Sequence, residues 1–275
     1  MTKTDLTELL RSRYGEVPFN WDIDWNDSLE ILLSHRSVRS YLSKPLAPGT
    51  LEWLVAAAQS AASSANMQTW SVVAVEDQER KAELCRLANN QVFMNQAPVF
   101  LVWLADLGRL AYIAENRGLP HVALDYLELL IKGVVDASVA AQNAALAAES
   151  IGLGTVYVGA IRKNTQEVAT LLNLPPFVFP IFGLSVGYPN SESEAAIKPR
   201  LPQSAVLHRE TYKLSGQAEA IAHYDDIMKE FNSKHNVSAT SDWSEKSAER
   251  IATLDYLKGC KDLRETLNNF GFKLL

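Results

Sequence analysis

The sequence predicts an α+β sandwich, with helices laid over a central sheet, on two observations. Short β-branched or wholly apolar runs alternate with longer stretches of helical periodicity, and the two kinds of segment are mixed along the chain. A third observation narrows the class: no Gly-x-Gly-x-x-Gly follows the first strand, so neither a Rossmann dinucleotide domain nor a P-loop is supported. With 275 residues, 47% apolar and 21% charged, the chain can form one large globular domain or two small ones with a sizeable core.

Taken in order, residues 1–26 are polar and aromatic, with Trp21 and Trp25, and read as an arm laid over the body or over a partner. A short helix is expected over 28–34 and a second from Pro48-Gly49 through about 62, since proline is tolerated in a first turn. A strand at 71–76, a polar helix at 78–89 and a continuous apolar strand at 99–105 follow. Residues 123–151 carry helical periodicity with apolar side chains on almost every face, which requires a central position. Their Ala-rich half fits either a core helix or a helix packed across a dimer axis. Strands at 155–159 and 178–187 come next, separated by a helix through Leu172 for which Asn164 and Glu167 have capping-box spacing. The tail reads as helices near 216–234, 243–258 and 260–269. Domain limits are placed at 1–26 for the arm, 27–212 for the core and 213–275 for a helical extension.

The net charge of −6, from 26 Lys and Arg against 32 Asp and Glu, excludes the diffuse positive field that nucleic acid or an anionic membrane requires. The first residues lack the apolar core of a signal peptide and the apolar runs are short, so a soluble, cytoplasmic protein is expected. Cys85 and Cys260 stand apart with no metal spacing and read as inert thiols. The five histidines likewise show no metal-ligand spacing, so no metal is expected.

Two dense cationic motifs stand out against this acidic background. His35-Arg36-Ser37-Val38-Arg39, if extended, sends His35, Ser37 and Arg39 to one side and makes a phosphate grip, or else is a solvated charge run. Lys198-Pro199-Arg200 follows a buried strand, where binding residues often lie. The loop Ser63-Ser64-Ala65-Asn66-Met67-Gln68 offers hydroxyls and amides that can read the edge of a heterocycle, and the Gly159-Ala160 pair ending a strand permits close approach to a flat ring. Ser185 sits in a Gly-x-Ser-x-Gly match, but Tyr188-Pro189 denies it the helix that a nucleophile elbow needs.

Four motifs in this order resemble the nitroreductase family over roughly residues 28–260. They are His-Arg-Ser-x-Arg (35–39), Ser-Ser-x-Asn-x-Gln-x-Trp (63–70), Gly-Leu-Gly-x-Val-Tyr-x-Gly (152–159), and Lys-Pro-Arg-Leu-Pro (198–202) after a Phe-Gly-Leu-x-x-Gly-x-Pro strand. The branch that looks most similar is that of the major oxygen-insensitive nitroreductase and the NADPH-flavin oxidoreductases. The resemblance implies a nitroreductase-like α+β sandwich with a mainly antiparallel sheet, and a homodimer with the long helix at its interface. It also implies FMN as cofactor, NADH or NADPH as reductant, and ping-pong reduction of nitroaromatics or quinones by hydride transfer through flavin N5.

By the same resemblance His35, Arg36, Ser37 and Arg200 grip the phosphate and ribityl chain, while Arg39 and Lys198 lie near N1 and O2 of the ring. Ser63, Ser64, Ala65, Asn66 and Gln68 reach the FMN of the other subunit, and Gln91 with Tyr157, Val158, Gly159 and Ala160 lines the isoalloxazine. No side chain is then expected to act as catalytic acid or base, because the cofactor carries the chemistry. Arginines that hold a 2′-phosphate in that branch are missing from 235–242, where Asp242 stands instead. Lys234 or Arg250 is the candidate substitute, Arg250 also being a candidate for an acidic substrate, whereas a carboxylate at a ribose 2′-OH favours NADH. The alternatives are an NAD(P)H-flavin reductase supplying free reduced flavin and a non-catalytic flavin-binding or sensor protein.

Overall fold

The computed structural model describes residues 3–17, 25–192, 195–238 and 241–275; Trp21 lies outside them. In chain order its elements are α1 (Lys3–Tyr14), α2 (Asp27–Ser34), α3 (Thr50–Gln59), β1 (Trp70–Val75), α4 (Gln78–Leu87), α5 (Phe93–Gln96), β2 (Val99–Asp106) and α6 (Gly108–Asn116). They continue with α7 (Leu127–Ser150), β3 (Gly154–Val158), α8 (Thr165–Leu171), β4 (Val178–Gly187), α9 (Gln217–Lys234), α10 (Trp243–Ala252) and α11 (Leu263–Asn269). The chain divides into two compact units, one of residues 37–194 with 257–275 and one of 1–36 with 195–256. The arm expected for 1–26 thus contains a helix, the limit expected at 212 falls inside a unit, and the last residues return to the unit that carries the sheet.

In the larger unit the strands pair in the order β1-β2-β4-β3, every neighbour antiparallel, which is the expected α+β architecture. Every residue of β2 is buried because both faces are covered. Val99, Leu101 and Trp103 point at the alanines of α7 and at Leu54 and Ala58 of α3, while Phe100, Val102 and Leu104 point at α4, α5 and α8. A bulge between Trp103 and Leu104 shifts the register against β4. Helix α7 is long and apolar enough by length and composition to cross a membrane, but it packs along β1, β2 and β3 as a core helix.

Three local expectations are corrected and one helix is added. The helix expected over 123–151 is broken at Tyr126, which is extended (φ −95°, ψ 141°) between a 3₁₀ turn at Val122–Asp125 and α7. The C-terminus causes the break: Leu275 N–H donates to Asp125 O (2.9 Å), Leu127 N–H to Leu275 O (3.3 Å), and Lys273 Nζ pairs with Asp125 (2.8 Å). The capping box at Asn164 is not formed: its side chain accepts no cap hydrogen bond, and its Nδ2 is turned to donate to Leu87 O (2.6 Å). Helix α6 had no counterpart in the sequence reading. The helix expected over 243–258 stops at Ala252, after which only 3₁₀ turns continue.

In the smaller unit α1 buries Leu6, Leu10 and Arg13, and α9 buries Ala220, Tyr224, Ile227 and Met228. The indole Nε1 of Trp25 is buried and has no hydrogen-bond partner among the described residues.

One glycine of the sheet sets a close approach. A Cβ at Gly183 would lie 2.0 Å from Cζ of Phe100, whose ring covers the gap left on β4. Gly183→Ala is therefore expected to lower stability by about 1–3 kcal/mol, the usual range for overpacking. Urea unfolding checks it, and an unchanged midpoint contradicts it.

Candidate functional site

In the smaller unit both cationic segments are fastened from beneath by one side chain. Arg13 near the end of α1, only 7% exposed, donates from Nη1 to Lys198 O (3.0 Å) and from Nη2 to Leu33 O (3.0 Å) and His35 O (2.8 Å). Its own carbonyl accepts from Arg200 N–H (2.8 Å). On the far side of the motif Tyr224 Oη donates to Pro199 O (3.0 Å), and burial pushes that phenol's pKa up against the opposing pull of Arg200. With carbonyls and Pro199 turned inward, Arg36, Lys198 and Arg200 are exposed and His35 is half-buried. Helix α2 stops at His35, whose backbone is extended (φ −51°, ψ 132°), so the motif leaves the helix in the extended form that the sequence required for a grip.

A cleft of about 1030 Å³ opens on this unit, lined among others by Tyr14, Lys198, Arg200, Trp243, Lys246 and Arg250. Arg250 also stacks its guanidinium 5.5 Å from the centre of the Tyr256 ring. Asp242, the carboxylate that stands where arginines were sought, is paired with Lys229 at 3.4 Å, and that pairing raises the lysine's pKa. Lys234 is not among the described residues that line the cleft.

In the larger unit Ser37 bridges to Thr155 of β3 and Val38 N–H donates to Thr155 O (2.9 Å), so the motif continues along the edge of the sheet. Gly154 makes room for it, because a Cβ there would stand 2.6 Å from Cγ2 of Val38. Tyr41 Oη donates to Val38 O (2.8 Å), and burial raises that phenol's pKa while Arg39, itself exposed, opposes the rise. At the far end of β3, Tyr157 and Gly159 are exposed and Ala160 half-buried, but Val158 is buried in the core, so the four expected lining residues do not present alike. Tyr157, 38% exposed as a whole, packs its ring edge-on to Phe182 at 5.2 Å, and the desolvation of its covered part together with the nearby Glu149 charge raises its phenol pKa.

The loop at 63–68 holds three non-glycine residues in the left-handed region: Ala65 (φ 52°), Asn66 (φ 54°) and Gln68 (φ 52°). Asp136 of α7, 2% exposed, fixes this strained path. Its carboxylate accepts from Ser64 N–H (2.9 Å), Thr69 N–H (3.3 Å) and Thr69 Oγ1 (2.9 Å). Arg109 fastens the other end, donating to Gln68 O (2.7 Å) while paired with Asp106 (3.3 Å). Ala65, Asn66 and Gln68 are left exposed, with Ser63 and Ser64 half-buried. Gln91 is half-buried and its carbonyl accepts from Met94 N–H (2.9 Å) at the start of α5. Ser185 is wholly buried within β4 and offers no nucleophile to solvent.

Arg13, Asp136 and Arg109 were not picked out from the sequence. Asp136 did carry a signal, being the one charged residue in the apolar stretch from Gly133 to Ala148. Arg13 carried none, because it lies among other polar residues.

Comparison with known proteins accounts for this arrangement. The model of the nitroreductase family matches residues 32–106 and 78–188, and that of the nitroreductase family C-terminal domain matches 198–275. An FMN reductase [NAD(P)H] of Bacillus subtilis is 42% identical over 254 residues, covering 90% of this chain and 99% of its own. The oxygen-insensitive NADPH nitroreductase of Salmonella typhimurium is 37% identical over 204 residues, covering 74% and 82%. Among solved structures, the hypothetical oxidoreductase YcnD of Bacillus subtilis superposes with a TM-score of 0.86 at 41% identity, covering 91% of this chain and 99% of that one. On sequence, fold and motif order together, the chain belongs to the nitroreductase family.

Proposed function

We propose that the chain is an FMN-dependent NAD(P)H oxidoreductase that reduces nitroaromatics or quinones in the cytoplasm. The observation that carries this reading is the fastening of two cationic segments by one buried arginine in a protein whose net charge is −6. The donors fit the cofactor. Arg36 and Arg200 are exposed and cationic, as a phosphate requires, and Ser37 adds a hydroxyl. The strained loop presents Asn66 and Gln68, neutral amides suited to a heterocycle, and Gly159 is exposed, a Cβ there meeting the Arg162 guanidinium only in ordinary van der Waals contact (Nη2 at 3.4 Å).

In this reading the chemistry that FMN supplies when bound is two-electron transfer, hydride in from NADH or NADPH and out to the acceptor. His35, Arg36, Ser37 and Arg200 hold the phosphate and ribityl chain. Arg39 and Lys198 supply positive charge at the N1 and O2 side, which stabilises negative charge developing there. Ser63, Ser64, Ala65, Asn66 and Gln68 reach the FMN of the other subunit, and Gln91 with Tyr157, Gly159, Ala160 and the backbone of Val158 lines the isoalloxazine. Arg250 faces an acidic group of nucleotide or substrate, since Asp242 is already engaged by Lys229.

The same reading makes the chain half of a homodimer. Leu127, Ile131, Val135 and Val139 recur at every fourth position along α7 and remain 40–52% exposed, an apolar stripe that a second copy would cover. A flavin reductase that releases free reduced flavin is the second reading, favoured by the name of the Bacillus subtilis relative.

Purified protein is expected to be yellow, to bleach anaerobically with NADH or NADPH, and to recover its colour with nitrofurazone or a benzoquinone. Bound flavin that neither nucleotide bleaches overturns the enzyme reading, and turnover of added FMN that outruns every nitro compound and quinone selects the flavin reductase. Arg200→Ala should weaken FMN retention by about 1.5–3 kcal/mol, the worth of a charge-assisted hydrogen bond. Arg39→Ala should instead keep FMN and slow its reduction in stopped flow; equal, trivial effects of the two refute the assignment. For the dimer, Val135→Glu is expected to halve the mass seen in sedimentation, and a wild-type chain that sediments as a monomer overturns it.

A further inference from the structure

We propose that Arg13, on helix α1, is a positioning residue for the cofactor phosphate: it holds the two cationic segments of the smaller unit at a fixed distance, ready for the anion. The inference rests on the functional reading above and adds to it a residue outside the stretch matched by the family models, which begins at residue 32.

His35 and Arg36 stand on one segment and Lys198 and Arg200 on another far away in sequence, so something has to hold the two segments together. The carbonyls of Leu33 and His35 belong to the end of α2, where the last C=O groups of a helix lack intrahelical donors and carry the negative end of its dipole. A guanidinium answers that need with a planar fork of five donors. Arg13 uses the fork on both segments at once, on Leu33 O and His35 O of the first and Lys198 O of the second. Its backbone carbonyl closes the loop by accepting from Arg200 N–H, so Lys198 and Arg200 are tied on either side of Pro199 to one residue. A lysine at this position keeps the charge but replaces the planar fork by a point ammonium. The neighbouring Tyr14 lines the cleft beside Lys198 and Arg200, which puts the end of α1 at the site itself.

Fluorescence titration of the full-length apoprotein with FMN and, separately, with riboflavin tests the proposal. Riboflavin has the same ring and ribityl chain but no phosphate, so a fault confined to the phosphate grip changes the ratio of the two affinities, whereas general loosening lowers both. Arg13→Gln is expected to weaken FMN binding by about tenfold or more, the loss of a hydrogen-bonded charged group, while riboflavin binding stays within about twofold of wild type. Arg13→Lys is expected to fall between. If circular dichroism finds Arg13→Gln unfolded, Arg13→Lys decides by the same ratio. An unchanged ratio of FMN to riboflavin affinity in the folded variant overturns the proposal and leaves the functional reading intact. A wild-type chain that binds neither flavin removes the functional reading and the role of Arg13 with it.

Discussion

The close approach of α7 to the sheet is the constraint on which the larger unit depends. Gly133, Ala137, Ala140, Ala141, Ala144, Ala145 and Ala148 are all buried along one side of the helix, and a Cβ on Gly133 would already stand 3.0 Å from Cβ of Ala105. Side chains this short bring the helix backbone down onto the strands and leave no room for water between them. Asp136 is carried into the same layer, and a buried carboxylate there is tolerable only with its hydrogen bonds made. The donors come from Ser64 and Thr69, so the packing of α7 reaches out and dictates the path of the loop that carries Asn66 and Gln68. The left-handed angles of that loop are the local cost of satisfying a carboxylate that the helix imposes.

Charge works on a different scale in the smaller unit. A net charge of −6 is spread over the whole chain, and beyond about 8 Å it is largely screened at physiological ionic strength. What a compact anion would meet is therefore local: in the smaller unit Arg36, Lys198 and Arg200 are exposed and Arg13 is buried. Bulk acidity keeps polyanions away and does not prevent the binding of one compact anion.

The legible parts of the fold are those in which residues a few positions apart decide the outcome. The apolar runs of β2 and β4 and the limits of α2 and α9 follow from periodicity and end signals, and the structure agrees with them to within a residue or two. For the segment from His35 to Arg39 the sequence left an extended grip and a solvated charge run both open; the structure gives His35 extended dihedrals and bridges Ser37 to Thr155. Tyr126 was not legible, since its break is enforced by Leu275, and Asn164 was not, since its side chain is turned toward Leu87 O, 77 residues away. Arg13 belongs with these: its partners are 20, 22 and 185 residues away. The candidate site residues were thus visible in the sequence, and the residues that hold their segments in place were not.

The apolar character of α7 on almost every face left two uses open, core helix or dimer helix, and the helix serves the first without exhausting its apolar surface. The alanines face the sheet, where closeness matters and bulk would push the layers apart. The larger residues Leu127, Ile131, Val135 and Val139 form a separate stripe that nothing in the chain's described residues buries. Small side chains suit a helix packed on strands, whereas branched ones present the area that a self-complementary contact about a two-fold axis needs. One helix divided in this way reads as apolar all round while serving two surfaces. If the second surface is a partner chain, the stability of either half depends on protein concentration, because the association free energy is then part of the folding free energy.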